Sequence, residues 1–295
     1  MERELWPPLY RALRHVANAF SQKYVQHQPW VLLAVFLWAA LHDRPVCWAC
    51  HSRHWSTTTL RPARLPSAAT LSRRIDSVAC GLLWRALEQY LRDCGQHGLL
   101  SFMDGKPLPI GGNSKDRQAR FGRGAGCMAK GYKVHAVWAG QPLPDTWEVA
   151  AMNTAEKVVG RRLLLQLSHG GYLLADGDYD ASYLYDEAAA RGYVLVSRPR
   201  RGDKPSPAHY QSPHRLHSIE LMRQPSLEGQ AAYGRSLYAQ RETIERAWGN
   251  LVTFGGGLAG LPAWVRGLDR VRTWVWAKLL INAVRIIQKH DLRHL

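Results

Sequence analysis

Three acidic residues could together form a divalent-cation site. Asp104 ends the apolar run LLSFMD, Asp176 ends the apolar run GYLLAD, and Glu245 lies on a helix predicted for residues 236–251. Carboxylates at the carboxyl ends of neighbouring strands meet at one edge of a sheet, where they repel each other unless a proton or a cation intervenes. Such oxygen ligands suit Mg²⁺ or Mn²⁺, and two such ions can promote phosphodiester cleavage. Each aspartate also precedes a glycine, so either could instead be an ordinary turn residue.

The predicted helix that carries Glu245 brings two further side chains beside it. At about 100° per residue, Tyr238, Arg241 and Glu245 fall within an arc of roughly 60°. That arc adjoins an apolar stripe of Leu237, Ile244, Trp248 and Leu251. Glu245 is therefore expected to be half desolvated and to need a cation as partner. The alternative is a surface pair between Arg241 and Glu245, which would contribute only tenths of a kcal/mol.

The charge of the chain favours a polyanionic partner. Lys and Arg number 39 against 23 acids, which gives a formal net charge of +16. Nucleic acid is the first expectation and an anionic membrane surface the second. A glycine-rich segment over residues 111–133 could follow a DNA backbone closely, although a solvated loop would look the same. Its candidate phosphate contacts are Lys115, Arg117, Arg120, Arg123, Lys130 and Lys133.

Residues 1–97 are predicted to form an all-α region. Helices are expected over residues 9–24 and 29–41, and Ser67 is placed to cap a short basic helix. Arg73 and Arg74 project from that short helix, which follows a turn as the recognition element of a helix-turn-helix does. The region is therefore expected to bind DNA. A small helical bundle with solvated arginines is the alternative.

One segment, CWACHSRH, has the spacing of a metal or haem site. Cys47, Cys50, His51 and His54 fit CxxCH, but haem attachment requires export and no secretory signal is visible. A zinc site normally has a second ligand pair at a distance, so these residues are expected to pack at a helix edge. The longest apolar run, residues 30–41, is too short to span a bilayer. A cytoplasmic protein without a membrane partner is therefore expected.

Residues 98–295 are predicted to form a second region, in which strands and helices alternate. The predicted order is β-β-β-α-β-α-β, over residues 99–104, 131–139, 146–152, 155–167, 171–180, 181–192 and 193–199. This order predicts an α/β domain. Residues 198–235 are rich in Pro, Arg, His and Ser, and an irregular basic insertion is expected there.

Four of these segments resemble the DDE transposases of bacterial insertion sequences. MDGK is similar to the region of the first family aspartate, and KGYKVHAVWAGQPLP to the second strand and its turn. LLADGDYD resembles the strand of the second aspartate, and YAQRETIER the Y-x2-R-x3-E signature of one branch. The resemblance covers about residues 98–290 and implies an RNase H-like mixed sheet flanked by helices. It also implies that Asp104, Asp176 and Glu245 are catalytic metal ligands, and that Tyr238 and Arg241 face DNA phosphates.

The chain departs from that family pattern at two places. The signature normally has a Lys seven residues after the Glu, where this chain has Val252. Gly177 and Asp178 replace a Lys-Gly pair after the second aspartate, which makes Asp178 an alternative ligand to Asp176.

The function implied by the resemblance is transposition. Metal-dependent cleavage of a DNA strand at the element ends would be followed by strand transfer, with Mg²⁺ or Mn²⁺ as cofactor. The expected partners are the terminal inverted repeats, target DNA and a second copy of the chain in a homodimer. Two alternatives stay open: a nuclease on the same fold that does not join DNA, and an inactive descendant that only binds it.

Overall fold

The computed structural model describes residues 2–124, 126–140, 142–199, 210–224 and 233–290. The chain forms two compact units. The first comprises Met1–Gln96, Asn250–Val265 and Thr273–Leu295, and the second comprises His97–Gly249 and Arg266–Arg272. The predicted division into residues 1–97 and 98–295 stays a prediction. Within the described residues, no helix has the length and apolarity needed to cross a bilayer.

The first unit is helical, as predicted. Its N-terminal helices are α1 (Glu2–Ala17), α2 (Pro29–Leu41), α3 (Val46–Ala49), α4 (Ala68–Arg74) and α5 (Val78–Arg92). The bounds predicted for α2 are confirmed, and this helix is apolar on every side and almost wholly buried. The prediction for α1 was wrong at both ends. Pro7 and Pro8 lie inside that helix although proline removes a backbone donor, and Leu5 and Trp6 beside them are buried.

Two serines begin the helices that follow the basic linker. Ser67 Oγ accepts a hydrogen bond from the Thr70 amide at 3.1 Å, which confirms the predicted cap of α4. Ser77 caps α5 in the same way through the amide of Cys80. The two short polar side chains satisfy amides that have no partner inside the helix. They thereby fix where the turn between α4 and α5 lies.

The second unit is built on one mixed sheet. Its strands are β1 (Leu100–Pro109), β2 (Arg120–Gly124), β3 (Cys127–Trp138), β4 (Thr146–Ala151), β5 (Gly171–Ala175) and β6 (Tyr193–Ser197). The strands lie in the order β2-β3-β1-β5-β6, and β4 also pairs with β3. Pairs among β1 to β4 are antiparallel, whereas β1, β5 and β6 are parallel. The predicted central position of β1, beside the strand that leads to Asp176, is confirmed.

Helices flank this sheet. They are α6 (Glu156–Leu164), α7 (Ser182–Ala189), α8 (Pro213–Arg223), α9 (Tyr233–Ala239) and α10 (Glu242–Val252). Leu163 of α6 and Leu184 of α7 pack in one buried cluster with Met103, Leu173 and Leu195 of the sheet. These two helices therefore cover the face to which Met103 points. The mixed α/β fold predicted from the sequence is confirmed.

The segment predicted as an irregular insertion contains a helix. Its residues 200–209 and 225–232 lie outside the described part of the chain, but α8 forms between them. Ser212 caps α8 and Pro213 occupies its first turn, a combination that favours a helix start. Arg215 is buried and binds both carboxylate oxygens of Asp180 at 2.7 Å, which fixes α8 to the unit.

The last helix, α11 (Leu268–Lys289), supplies a buried cation to the first unit. Lys278 is fully buried there. Its ammonium donates to the Ala40 carbonyl at 2.6 Å, to Asp43 Oδ1 at 2.7 Å and to the Gly256 carbonyl at 2.9 Å. Asp43 and Gly256 have positive φ angles of 51° and 85°, and these aim the backbone and side chain at Lys278. One ammonium thus joins the end of α2, the segment after α10, and α11.

Candidate active site

Asp104 and Asp176 occupy equivalent positions on two parallel strands. The pairing of β1 with β5 ends at Met103 opposite Ala175, so each aspartate is the next residue on its own strand. Asp104 does not end β1, contrary to the prediction. The strand continues to Pro109 because it keeps its antiparallel pairing with β3. The two aspartates nevertheless lie side by side, where the sheet opens between β1 and β5.

Both aspartates resist ionisation. The pKa of Asp104 is raised to about 6: burial is the main cause and the charge of Asp176 adds to it, while the Gly105 amide and Arg241 oppose the rise. Burial also raises the pKa of Asp176 to about 6, with Glu156 and Asp178 adding to it and Arg241 again opposing it. Like charges in a poorly solvated place favour the protonated form. A divalent cation would relieve the same repulsion.

A further carboxylate faces Asp176. Ligand oxygens of Glu156, Asp176 and Asp178 all lie within 4.8 Å of one another, so this acidic cluster could hold a metal ion. Among the described residues, neither Asp104 nor Glu245 belongs to it. Asp176 Oδ1 also accepts a hydrogen bond from the Asp178 amide at 2.9 Å. Glu156 is the first residue of α6 and was missed by the sequence analysis. An acid in the first turn of a helix is common because it favours the helix dipole, so its position gave no signal.

Lys133 is buried, whereas its predicted contact with a DNA phosphate needs an exposed ammonium. It is 9% exposed, and its ammonium lies 2.5 Å from Glu156 Oε1. His135, two residues further along β3, is buried, and its Nδ1 lies 3.1 Å from the buried Tyr179 hydroxyl. Burial lowers the pKa of His135 to about 3, with Lys133 and Arg162 contributing, so this imidazole is neutral.

Residues 236–251 do not form one helix, contrary to the prediction. α9 ends at Ala239 and α10 begins at Glu242. Between them the amides of Gln240 and Arg241 bond to carbonyls three residues earlier, as in a 3₁₀ turn. Arg241 therefore stands on a turn and not on a helix face.

Arg241 links Glu245 to the two aspartates. Its guanidinium lies 3.5 Å from Glu245 Oε1 and opposes the raised pKa of both Asp104 and Asp176. The Glu245 side chain is 65% exposed, so it is more hydrated than predicted. Tyr238 interacts with the same groups. Burial raises the pKa of its hydroxyl, Arg241 opposes the rise and the charge of Asp176 adds to it.

α10 packs on the face of the sheet that carries Asp104. Trp248 of α10 meets Trp138 of β3 edge to face, with ring centroids 5.9 Å apart. Trp138 pairs with Phe102, and Phe102 and Asp104 project to the same side of β1. The predicted apolar stripe is confirmed, since Leu237, Ile244, Trp248 and Leu251 are all buried.

The other candidate DNA contacts are mostly on the surface. Lys130 donates to the Ser114 carbonyl at 2.5 Å, and Arg74 is half-buried. The exposed candidates are Arg73, Lys115, Arg117, Arg120 and Arg123. Arg120 and Arg123 lie on β2, which pairs with β3 to form a hairpin within the glycine-rich basic segment.

The CxxCH segment forms no metal cluster within the described residues. The Cys50 thiol donates to the Val46 carbonyl, and burial raises its pKa to about 11, which disfavours the thiolate that a metal needs. His54 stacks on Trp48 with ring centroids 4.5 Å apart. Cys50 and His54 thus contact neighbouring groups, whereas Cys47 and His51 are exposed.

A family model described as a transposase DDE domain matches residues 96–281. The chain belongs to this family. Membership implies that the transposase uses a divalent cation, and the side-by-side carboxylates with raised pKa values are the donors such an ion prefers. The bacterial insertion-sequence origin and the Y-x2-R-x3-E branch stay predictions.

No curated protein matches the sequence of this transposase. Among solved structures, it is similar to a piggyBac transposase in a cryo-EM synaptic complex with hairpin DNA. The TM-score is 0.49 at 8% identity, and the match covers 98% of this chain and 73% of that chain.

Proposed function

We propose that this transposase cuts DNA at the ends of its element and joins the freed 3′ end to target DNA, with Asp104, Asp176 and Glu245 as its catalytic carboxylates. The observation that carries the proposal is the pairing of Asp104 and Asp176 on adjacent parallel strands, both buried enough to raise their pKa values to about 6. Such perturbed, paired carboxylates are typical of catalytic sites.

Asp104, Asp176 and Glu245 would hold the cation, which we propose to be Mg²⁺ or Mn²⁺. When bound, the ion supplies positive charge that activates the attacking oxygen and stabilises the leaving one. The guanidinium of Arg241 would move from Glu245 to a phosphate oxygen beside the scissile bond, so that Glu245 would be available as a ligand. Tyr238 would donate its hydroxyl proton to a neighbouring phosphate oxygen.

Two basic surfaces would each contact DNA phosphates. One is the β2–β3 hairpin with the loop before it, and the other is the short helix α4. Their phosphate contacts would be Lys115, Arg117, Arg120, Arg123, Lys130, Arg73 and Arg74. The strand ends bound would be terminal inverted repeats, the transposase would act as a homodimer, and it would work in the cytoplasm on chromosomal DNA.

A cleavage and joining assay on oligonucleotides with the element ends tests this proposal. We expect wild-type protein with Mg²⁺ to nick the ends and join them to a target, and EDTA to stop both steps. Asp176→Asn should abolish nicking, because a metal-binding carboxylate is lost. Asp178→Asn tests the alternative ligand of the same acidic cluster; because Asp178 is exposed, this variant should keep much of the activity.

Three outcomes would contradict parts of the proposal. Nicking without joining would indicate a nuclease, and specific binding without either step would indicate an inactive DNA-binding descendant. If Asp178→Asn were inactive while Asp176→Asn were active, the assignment of the second aspartate would be wrong.

A further inference from the structure

We propose that Glu156 is a fourth carboxylate of the divalent-cation site and that Lys133 is the residue that positions it. This inference rests on the proposed function, because it concerns the same cation. It adds two residues that were not predicted as parts of the cation site. One is Glu156, and the other is Lys133, which was predicted to contact DNA instead.

The first support is the direction from which Glu156 arrives. α6 packs on the sheet face to which Met103 points, whereas Asp104 and α10 belong to the opposite face. Glu156 begins α6, and its carboxylate oxygens still lie within 4.8 Å of those of Asp176 and Asp178. A cation at the opening between β1 and β5 would therefore meet carboxylates from both faces of the sheet.

The second support is the state of the Glu156 carboxylate. One oxygen, Oε1, lies 2.5 Å from the Lys133 ammonium. The other, Oε2, is buried and makes no hydrogen bond of ordinary length and angle among the described residues, although the Tyr179 hydroxyl also interacts with this carboxylate. A buried carboxylate oxygen with so little compensation is unfavourable, and a cation would stabilise it. Burial raises the pKa of Glu156, Lys133 opposes the rise, and the charges of Asp104 and Asp178 add to it.

The third support is the way in which Lys133 is held. Its side chain is 11% exposed and that of Glu156 is 13% exposed, so their bond is shielded from competing water. Space for the Lys133 stem exists because position 105 is a glycine. A Cβ there would lie 2.8 Å from Lys133 Cδ and 2.9 Å from His135 Nδ1. The glycine that follows the catalytic Asp104 thus accommodates the pair that orients Glu156.

A purely structural ion pair is a weaker explanation. A buried ion pair is often no more stable than apolar residues of the same volume, so stability alone does not favour one here. This pair also adds an acid beside Asp176 and Asp178, where like charges repel. Ligand-supporting hydrogen bonds, by contrast, commonly change metal affinity 10- to 100-fold.

The test is a titration of the full-length protein with Mn²⁺, with the rise in melting temperature as readout and no DNA present. We expect Glu156→Gln, which keeps the shape, to weaken the apparent Mn²⁺ affinity by about 10-fold or more. The matched control is Glu148→Gln. Glu148 also forms an ion pair with a residue of α6, Arg162, but it lies outside the acidic cluster. The Mn²⁺ affinity of Glu148→Gln should therefore differ from wild type by less than about twofold.

A double variant separates positioning from structure. Lys133→Met should also weaken Mn²⁺ affinity about 10-fold, and adding it to Glu156→Gln should cause no further loss, because Lys133 acts through Glu156. Additive losses would overturn the role of Lys133. If Lys133→Met does not fold, the isosteric Glu156→Gln decides the proposal alone.

Asp176→Asn distinguishes this inference from the proposed function. If Asp176→Asn loses the Mn²⁺ effect while Glu156→Gln keeps wild-type affinity, the role of Glu156 is wrong and the catalytic site stands. If wild-type protein and Asp176→Asn respond alike to Mn²⁺, the cation site of the proposed function is itself wrong.

Discussion

Asp104 and Asp176 carry charges that the folded transposase tolerates poorly at neutral pH. Burial is the main cause, and neighbouring acids add to it: Asp176 for Asp104, and Glu156 with Asp178 for Asp176. Arg241 compensates only part of this charge. Before a cation binds, these two residues therefore lower the stability of the fold. The same unfavourable environment would give the proposed site its affinity for a cation.

Asp104→Asn should stabilise the metal-free protein at neutral pH. Because the pKa of Asp104 is raised from about 3.9 to about 6, the folded state holds this proton more tightly than the unfolded state. Stability is then lost as the pH rises from about 4 to about 6, and it stays lost above 6. Asparagine cannot ionise, so the variant should be more stable at pH 7 by on the order of 1–3 kcal/mol.

Urea denaturation in EDTA at pH 4 and pH 7 measures this difference. The two proteins should be nearly equally stable at pH 4, and the advantage of Asp104→Asn should emerge between pH 4 and 6. A variant that is less stable than wild type at pH 7 would show that the Asp104 charge is already compensated in the metal-free fold.

At the scale of elements, the junction between α9 and α10 determines how Arg241 and Glu245 can act. The 3₁₀ turn puts Arg241 off the axis of α10, and the packing of Trp248 on Trp138 holds α10 on the Asp104 face. Arg241 thus reaches both aspartates while it still contacts Glu245. A phosphate that attracted Arg241 would release Glu245.

Variants of α10 and of the turn before it should separate DNA binding from chemistry. Glu245→Ala removes a ligand and a negative charge, so it should bind element ends at least as well as wild type and cleave nothing. Arg241→Ala should bind somewhat more weakly and lose about 10²- to 10³-fold in cleavage rate, since a phosphate clamp acts most where charge develops. Arg246→Ala is the control, because Arg246 is exposed on the same helix. Filter binding and nicking assays on these proteins would decide; cleavage that survives Glu245→Ala would exclude the three-carboxylate mechanism.

Elements whose local sequence agrees with their packing could be predicted. α2 is apolar throughout, and the Ser67 cap has a local partner in Thr70, so both were found. The break before α10 could not be predicted, because the chain has no glycine or proline at Gln240 and Arg241. The apolar spacing, with Leu237 and Ile244 both buried and seven residues apart, also suits one continuous helix.

The candidate site was predictable only in part for the same reason. Asp104 and Asp176 end apolar runs, which is a local signal, and the structure places them side by side. Glu156 depends on Lys133, a partner 23 residues away, and no local pattern reveals that contact. The burial of Lys133 depends on the same contact and was not predicted, because its position in a basic segment suggested an exposed cation.

For the whole molecule, a formal net charge of +16 should make DNA affinity fall steeply with salt. Replacing Arg73 and Arg74 by Ala should weaken binding to the element ends. It should also make the negative slope of log K against log[salt] shallower by about 1 to 2. The Mn²⁺ response should not change. Arg161→Ala is the control, because Arg161 is exposed but pairs with Glu187. An unchanged slope in the double variant would show that α4 does not contact phosphates.

Lys278→Met should destabilise the first unit by about 2–4 kcal/mol, because it leaves two buried carbonyls and Asp43 without their cation. Lys289→Met is the control, since Lys289 is exposed on the same helix and its loss should cost little. Thermal or urea unfolding measures both. Equal stability of the two variants would show that the ammonium makes no net contribution.

The bonds of Lys278 also bear on synthesis at the ribosome. This residue follows Asp43 and Ala40 by 235 and 238 positions, so on the order of 10–50 s of translation separate the two sides of the contact. Throughout that interval the nascent chain carries α2, apolar on every side, without its final partner, and a chaperone would have to shield it. A ribosome-bound chain that stops at residue 266 should therefore be cut by chymotrypsin within α2, whereas the released full-length protein should resist. Equal resistance would mean that the N-terminal helices close before α11 emerges.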